Sequence, residues 1–416
     1  MKWFIFMTGF RRAVAGTTLW LLSAAPAMAQ TLPAGPAEFA GGAVTLSGTV
    51  SVSVGTHDDS AFFNFTDYEH NALRMVRVAV AGTWRMTSRM ALLTELRSED
   101  GERVIPYALY LRARPFARVA FDIQAGRIPT VFGAFARRSY RPDDNPLIGY
   151  PLAYQYLTSL RPDAIPASAD DLLLMRARGW RASYPVGASY GETGVPLISA
   201  YRWDTGVEAN LALERFDAAV SVTTGTLSSP RTRDDNGRPQ VAGRVGWKPA
   251  LGLIVGASLS RGEFLTGALE DRYRAVLGDH SYAQTAFGLD GEYSKDHWIV
   301  RAEWVDSRWR IPDLGVPLIR QPLTATSAYV EGRYRVSPRW YVAGRADMLT
   351  FSRVTGQRLF GGLPTTWDAP VKRLEAGVGL YLQRNLTLRV AVQPNWRDGG
   401  RVHRRTFTSA ELAYWF

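Results

Sequence analysis

The chain has 416 residues, a formal net charge of +11 and no cysteine, which excludes a disulfide framework, a lipid-attachment cysteine and thiol chemistry. Hydrophobic residues make up only 46% of the chain although it contains 13 Trp and 18 Tyr, and no stretch after the first 29 residues has the length of a helical membrane span. Two classes fit this composition: a membrane β-barrel whose strands are apolar on alternate residues, and a large secreted β-protein.

Residues 1–29 have the pattern of a cleaved secretory signal. Lys2, Arg11 and Arg12 supply a positive start, Ala13–Ala25 is a short apolar run, and Ala27-Met28-Ala29 is a small-x-small cleavage site. We therefore predict an exported protein with a signal peptide (1–29), a short and mobile N-terminal lead-in (30–42) and a barrel (43–416). Export disfavours nucleic acid as a partner despite the basic charge.

Short segments of alternating polarity run through the rest of the chain. In the first of them, Val50, Val52 and Val54 alternate with Ser51 and Ser53, which is the period of a strand with one apolar and one polar face. Five such segments precede residue 126 and eleven follow residue 202. In the fourth, Tyr107 is assigned to the apolar face together with Leu109. The pattern predicts about sixteen strands.

Short and long connections alternate between these segments, as they do in membrane barrels with short periplasmic turns and long outer loops. The short ones lie near Thr87, Pro115, Phe216, Pro249, Asp296, Pro338 and Asn385. An aromatic residue accompanies each short turn, and the C-terminus adds two more: Trp84, Phe116, Phe216, Trp247, Trp298, Trp340, Tyr381, Trp415 and Phe416. Aromatic residues at one end of every strand pair indicate an interfacial girdle. The predicted fold is all-β, a transmembrane antiparallel up-and-down β-barrel.

The segment Gly126–Arg202 interrupts this meander and has no sustained strand or helix pattern. It is rich in apolar and aromatic residues, which disfavours a solvated linker. We predict that it folds inward as a constriction loop; the alternative is a packed surface insertion. The predicted pore residues are Arg127, Arg137, Arg138, Arg141, Asp143 and Asp144 in this segment and Arg77, Arg112, Asp122, Arg301, Glu303, Arg333 and Arg345 on the barrel wall.

The export signal, the meander and the C-terminal Tyr414-Trp415-Phe416 together resemble a Gram-negative outer-membrane porin with sixteen strands. The segment Gly126–Gly133, GRIPTVFG, is similar to a strand-end motif of the phosphate-selective porin group. The lysine-rich anion ladder associated with that group has no counterpart, because the chain has only four lysines. The resemblance implies an outer-membrane location, a homotrimer and passive diffusion of small polar or anionic solutes, with outer-membrane lipid as the surrounding partner.

Two alternatives stay open at this stage: a structural or adhesin-type barrel with a blocked channel, and an outer-membrane hydrolase with a Ser/His pair. The five histidines lie in predicted loops or turns, and none stands beside a serine on a strand face. We therefore predict no enzyme activity and no cofactor. The run Asp234-Asp235-Asn236-Gly237 has oxygen ligands for a cation, but Asp, Asn and Gly are also what a turn requires, so no metal is predicted.

Overall fold

The computed structural model describes residues 35–58, 62–65, 70–102, 104–136, 144–200, 203–278, 280–319 and 322–416. Sixteen antiparallel strands follow one another around a single sheet, and the last strand pairs with the first, which closes the barrel. The strands are β1 Val44–Gly55, β2 Val76–Arg85, β3 Met90–Glu99, β4 Ile105–Ala113, β5 Ala120–Ile128, β6 Asp204–Ala212, β7 Phe216–Thr223, β8 Gln240–Ala250, β9 Leu253–Glu263, β10 Ala283–Lys295, β11 Trp298–Trp309, β12 Leu323–Arg335, β13 Trp340–Phe351, β14 Val371–Gln383, β15 Leu386–Arg397 and β16 Arg404–Trp415.

The prediction of five strands before the interruption and eleven after it is confirmed. Connections at one end of the barrel, here called the turn end, span two to six residues. Connections at the other end, the loop end, are mostly longer and include one of 75 residues between β5 and β6, here called the long loop (residues 129–203). The interruption was predicted to begin at Gly126, but Gly126–Ile128 complete β5. The predicted signal peptide lies outside the described residues.

Short elements lie mainly in the connections at the loop end. The helices are α1 Leu152–Gln155, α2 Ala169–Leu174 and α3 Gly267–Leu277, with 3-10 turns at Ala40–Gly42, Gly179–Arg181 and Leu359–Gly362. Two small hairpins pair Ala164–Ile165 with Val186–Gly187 and Arg353–Val354 with Thr365–Thr366. Within the predicted lead-in, Ala37–Phe39 pairs with the start of β1. No helix in the described part of the chain is long and apolar enough to cross a membrane.

The alternating sequence pattern separates an exposed apolar exterior from a covered polar interior. On β1, Val50, Val52 and Val54 are 39%, 41% and 61% exposed, whereas Ser51 and Ser53 between them are 8% and 7% exposed. Because successive side chains of a strand point to opposite faces, the valines lie on the outer surface and the serines on the inner surface. The same inversion relative to a soluble protein, apolar outside and polar inside, holds around the barrel.

We predict that this inside-outside arrangement decides where the wall tolerates a charge. Val80 is 43% exposed on the outer face of β2, four residues before Trp84. A Val80→Arg substitution would place a guanidinium against hydrocarbon and is expected to lower the free energy of unfolding by about 2–4 kcal/mol. The matched substitution Ala81→Arg points inward, opposite Glu95 on β3, and should cost much less. Urea unfolding of the refolded barrels in lipid vesicles measures both, and equal losses would contradict the assignment of the two faces.

An aromatic girdle lies at the turn end, as predicted. Trp84, Phe116, Phe216, Trp247, Trp298 and Trp340 are 46–57% exposed beside the short connections. Two predicted members are wrong. Tyr381 alternates with the exposed Leu382, and its ring centroid lies 5.7 Å from that of the buried Tyr341, so it belongs to the inner face. Trp415 pairs with the inward-facing Thr49, and its neighbour Tyr414 takes the outer position.

A β-bulge overturns the predicted orientation of Tyr107. The register between β3 and β4 shifts after Glu95, which pairs with Ala108, while Leu96 pairs with Pro106. The extra residue, Tyr107, is fully buried, and its hydroxyl donates a hydrogen bond of 3.2 Å to the carbonyl of Ala200. A bulge changes which face a residue takes without changing the polarity pattern, so alternation alone assigned Tyr107 to the exterior.

Candidate channel interior

The long loop is hydrogen-bonded to carboxylates on the inner face of the wall. The hydroxyl of Tyr154 donates to Glu303 on β11 over 2.7 Å, and the main-chain amide of Ala134 donates to the same carboxylate over 3.2 Å. The amide of Leu152, at the start of α1, donates to Asp347 on β13 over 2.6 Å. Charged acceptors make strong hydrogen bonds, and these carboxylates are nearly fully buried, so water does not compete for them.

Arg345 on β13 joins the wall to the loop at the centre of these contacts. Its side chain is 1% exposed and lies 3.2 Å from Glu331 on β12 and 2.6 Å from Glu375 on β14. It also donates to the carbonyl of Gly149 over 2.7 Å, while the amide of Gly149 donates to Glu375 over 2.8 Å. The loop backbone at Gly149 therefore completes a buried network of one base and two acids.

Other wall cations also hold main-chain carbonyls of the loop. Arg301 donates to the carbonyl of Asp144 over 2.7 Å, and Arg373 donates to the carbonyl of Tyr150 over 3.1 Å. Arg389 donates to the carbonyl of Asn145 in the same way. Because these guanidinium groups are buried and directed at the backbone, their first role is to position the loop.

Two glycines let the loop approach the wall this closely. Gly133 has a φ of +64°, and a Cβ there would lie 1.9 Å from a carboxylate oxygen of Glu303. A Cβ on Gly149 would lie 2.4 Å from the amide nitrogen of Gln393 and 2.5 Å from Glu375. Both positions therefore require glycine for close approach, and Gly133 also for its left-handed backbone.

Beyond these polar contacts, the loop brings an apolar core to the loop end of the barrel. Phe132, Phe135 and Tyr154 are at most 1% exposed, and the rings of Phe135 and Tyr154 lie 4.8 Å apart. Trp309 at the end of β11 and Trp367 in the connection before β14 are fully buried beside this core. Side chains rather than water fill this side of the loop end.

At the turn end, β5–β8 border a cavity of about 590 Å³. Asp122 accepts hydrogen bonds from Gln124 and Asn210 over 2.9 and 3.4 Å. Arg244 lies 3.0 Å from Asp217. The polar lining of the cavity is Arg114, Arg118, Asp122, Asn210, Asp217, Arg244 and Lys248. The lining has four bases against two acids, and one of these bases, Arg244, is also paired with Asp290 over 2.5 Å.

The predicted wall residues fall into three groups. Arg301, Glu303 and Arg345 are buried under the loop, as described above. Arg112 and Asp122 are half-buried on the inner face of β4 and β5, and Asp122 lines the cavity at the turn end.

Two further wall arginines, the third group, contact aromatic side chains. Arg77 pairs with Glu99 over 2.9 Å and donates to the hydroxyl of Tyr150 over 2.7 Å. Arg333 lies with its guanidinium 5.9 Å from the ring centroid of Tyr341. The contacts of Arg77 fix its side chain to the wall and to the long loop, and the contact of Arg333 fixes its side chain to the wall.

Arg127 was predicted to line the pore, but the structure places it on the outer face. It pairs with the outward-facing Leu109 of β4 and with Thr205 of β6. Its guanidinium donates to the carbonyls of Pro106 and Trp203 over 2.6 and 3.3 Å. The strand continues through this residue, so the alternation of faces fixes its direction. Arg137, Arg138, Arg141 and Asp143 lie outside the described residues, and Asp144 contributes its carbonyl to Arg301.

Sequence reasoning missed Arg373 as a loop-binding residue. It is 1% exposed, donates to Asn395 over 2.7 Å and also binds the carbonyl of Phe63. Arg373 lies between Lys372 and the exposed Leu374, so the alternation of faces along β14 indicates that it points inward. The sequence therefore contained a signal for its orientation. Its partners come from distant segments, and no pattern in the sequence indicates them.

A closed sixteen-stranded barrel with an apolar exterior, a polar interior and one long connection packed against its inner wall defines the class of outer-membrane β-barrels. No protein-family model and no curated protein sequence matches the chain. Solved structures do match its fold over nearly their whole length, and three of them serve as examples. The chain aligns over 90% of its residues with an anion-selective porin from Comamonas acidovorans (99% of that chain, TM-score 0.54, 10% identity), with OmpF of Salmonella typhi in complex with daunomycin (97%, 0.53, 12%) and with the outer membrane channel DcaP of Acinetobacter baumannii (97%, 0.52, 10%). The architecture is that of an outer-membrane porin.

Proposed function

We propose that the protein is an outer-membrane porin through which small polar or anionic solutes diffuse passively. The observation that carries this proposal is the one-sided position of the long loop. Its contacts lie mainly on the inner face of β9–β15, and the 590 Å³ cavity remains at the turn end of β5–β8. A path that continues from this cavity past the loop would constrict the pore without closing it, and would be lined by groups that water can solvate.

Charge along this path supports a mild preference for anions. Arg112 is half-buried on the inner face of β4, opposite Gln124 of β5, and makes no side-chain hydrogen bond or ion pair within the described part of the chain. The cavity lining has four bases and two acids. We propose that Arg137, Arg138 and Arg141 of the long loop add to this positive field at the constriction. Low-dielectric walls focus such a field, and salt screens it.

We propose a non-catalytic role, since the function needs only the arrangement of the barrel wall and the loop. Two of the five histidines that were considered for catalysis have hydrogen-bond partners in the connections: His57 bonds to Arg74, and His403 bonds to the carbonyl of Arg397. Asp234 accepts from the amides of Asn236 and Gly237, as expected for a turn. We further propose that residues 1–29 are the signal peptide and residues 30–42 the lead-in. We also propose that the protein forms a homotrimer with both termini of each chain in the periplasm.

A second candidate function, a structural barrel with a blocked channel, is favoured by the apolar core at the loop end. Phe132, Phe135, Trp309 and Trp367 are at most 1% exposed and exclude water from the side of the barrel they fill. If the rest of the interior were also closed in the membrane, no solute would pass.

Conductance in planar bilayers separates the two candidates. We expect the purified protein to give stepwise, ohmic openings, because a water-filled path of fixed geometry conducts in proportion to voltage. A barrel that inserts, as shown by protection of its strands from protease, but remains electrically silent would contradict the porin and support the blocked barrel.

We predict that the loop arginines set the ion preference. Replacing Arg137, Arg138 and Arg141 together by Gln should move the zero-current potential in a salt gradient toward cations. The shift should be larger at 0.1 M than at 1 M salt, because the Debye length falls from about 10 Å to about 3 Å. Arg308→Gln, which removes an exposed arginine from the outer face of β11, is the control and should leave the potential near that of the wild type. An unchanged potential in the folded triple variant would show that these charges do not face the ion path.

A further inference from the structure

The connection between β7 and β8, at the loop end of the barrel, contains the one Asn-Gly pair of the sequence, Asn236-Gly237. The chain has seven asparagines, and the other six precede Phe, Ala, Pro, Leu or Trp. Glycine has no side chain that could shield its main-chain nitrogen, so the asparagine before it is open to attack by that nitrogen on its own side-chain amide. The proposed channel makes no use of this pair.

The side chain of Asn236 is held in a bent conformation by two hydrogen bonds. Its Oδ1 accepts from the main-chain amide of Arg238 over 3.1 Å, and its Nδ2 donates to the carbonyl of Leu265 over 3.1 Å. The first bond reaches two residues along the chain and therefore turns the side chain back over the main chain that follows it. Cγ of Asn236 is thereby directed toward the nitrogen of Gly237, which lies between the two bonded residues.

The nitrogen of Gly237 also has an acceptor for its proton. Its N–H donates to Oδ1 of Asp234 over 2.8 Å, and the same oxygen accepts from the amide of Asn236 over 3.2 Å. An amide nitrogen becomes a nucleophile when its proton leaves, and a carboxylate in hydrogen-bond contact with it is placed to act as the general base. Gly237 is exposed, has a φ of +67° and has open space beside its Cα, so a ring can form there and water can reach it.

We propose that Asn236 converts spontaneously to aspartate and isoaspartate in the folded protein, with Asp234 as the general base. Asp234 takes the proton of the Gly237 amide, and this nitrogen attacks Cγ of Asn236 and forms a new C–N bond. The negative charge that develops on Oδ1 is stabilised by the Arg238 amide that already donates to it. The Cγ–Nδ2 bond then breaks, and Nδ2 leaves as ammonia with the proton that Asp234 had taken. Water opens the resulting cyclic imide at either of its carbonyls, which gives the two products.

The reaction replaces a neutral hydrogen-bond donor by a carboxylate. The bond from Nδ2 of Asn236 to Leu265 is lost, and Leu265 lies two residues before the start of α3. In the isoaspartate product an extra carbon also enters the main chain within the turn that Asp234 holds. The charge and the shape of this connection therefore change, whether or not the barrel conducts.

The test follows the side-chain amide of Asn236 by peptide mass spectrometry while the full chain, refolded in detergent, is incubated at neutral pH. We expect the wild type to lose this amide at least about tenfold faster than Asp234→Asn, since a positioned general base contributes up to about 10²–10⁴-fold. The amide oxygen of the variant can still accept from Gly237 but cannot take up its proton. In urea, where the turn is unfolded, the two chains should react at nearly equal rates. Asn210, which is also half-buried but precedes Leu211, is the internal control and should keep its amide.

Three results would overturn the proposal: retention of the amide in the folded wild type, equal rates in folded wild type and Asp234→Asn, and a faster loss in Asp234→Asn. The last result would show that the hydrogen bond protects the Gly237 amide instead of activating it. Asp234→Glu keeps a carboxylate and should react faster than Asp234→Asn, which controls for a changed fold. Asn236→Gln has a longer side chain that disfavours ring closure and should show no loss at this position. An equal loss from that variant would indicate direct attack by water without the Gly237 nitrogen, and would also overturn the proposal.

Discussion

Replacing Arg345 by Met is expected to lower the free energy of unfolding by about 3–5 kcal/mol, because it removes one partner of a buried charge network. Arg345 is 1% exposed, and it neutralises Glu331 and Glu375, which are 3% and 0% exposed. Without it, two carboxylates would remain buried side by side without that counter-charge. The side chain of Met fills similar space, so the loss would come from the charge rather than from a cavity.

The same substitution should release the long loop from the wall. Gly149 would lose the donor of its carbonyl, and Glu375 would repel Glu331 across the strand between them. We expect larger and noisier channel openings in bilayers, together with the lower stability in urea. Arg308→Met, which removes an exposed arginine from the outer face of β11, is the control and should change neither measurement. Wild-type stability and conductance in Arg345→Met would show that the network does not hold the loop.

The barrel could be predicted from the sequence because its determinants are local. A strand in a membrane wall has lipid on one side and water or polar side chains on the other, so each strand repeats the same period of two. Val50, Ser51 and Val52 show this period within three residues, and the aromatic residues beside the short turns mark one membrane interface. The alternation of polarity is a weak signal in one strand, but its sixteen repetitions predicted the correct number of strands.

The interior of the barrel was less accessible to sequence reasoning because it depends on contacts between distant segments. Glu303 and Arg345 were correctly placed on the inner wall, but their roles as loop anchors follow from partners 149 and 196 residues away in the chain. Tyr107 was misplaced because a bulge changes the register without a change in polarity. Arg127 was misplaced because β5 continues past the glycine at which the interruption was predicted to begin.

Asp58 is the other position where burial of charge predicts a large effect. It lies in the connection after β1, is 1% exposed, and accepts a hydrogen bond of 3.0 Å from the amide of Asn64. Its second carboxylate oxygen has no hydrogen-bond partner among the described residues. Desolvation by burial raises the pKa of Asp58 to about 7, although Arg373 and Arg397 oppose the shift by favouring the charged form.

A raised pKa in the folded protein makes the stability depend on pH with a definite sign. The unfolded chain releases the proton of Asp58 near pH 4, whereas the folded chain keeps it until about pH 7. The folded state therefore binds more protons between these values, and the free energy of unfolding should fall as the pH rises from 4 to 7. The loss is on the order of 4 kcal/mol for this one group and should level off above pH 7, where both states have released the proton.

We predict that Asp58→Asn removes this dependence, because an amide stays neutral and can still accept from Asn64. The variant should equal the wild type near pH 4 and be more stable than it above pH 7. Urea unfolding at pH 4, 5.5, 7 and 8 measures the difference between the two proteins at each pH. Asp234→Asn, which changes an exposed aspartate in the connection between β7 and β8, is the matched control and should leave the pH dependence of the wild type intact. If Asp58→Asn retained the wild-type slope between pH 4 and 7, the buried carboxyl would not be the group that takes up the proton on folding.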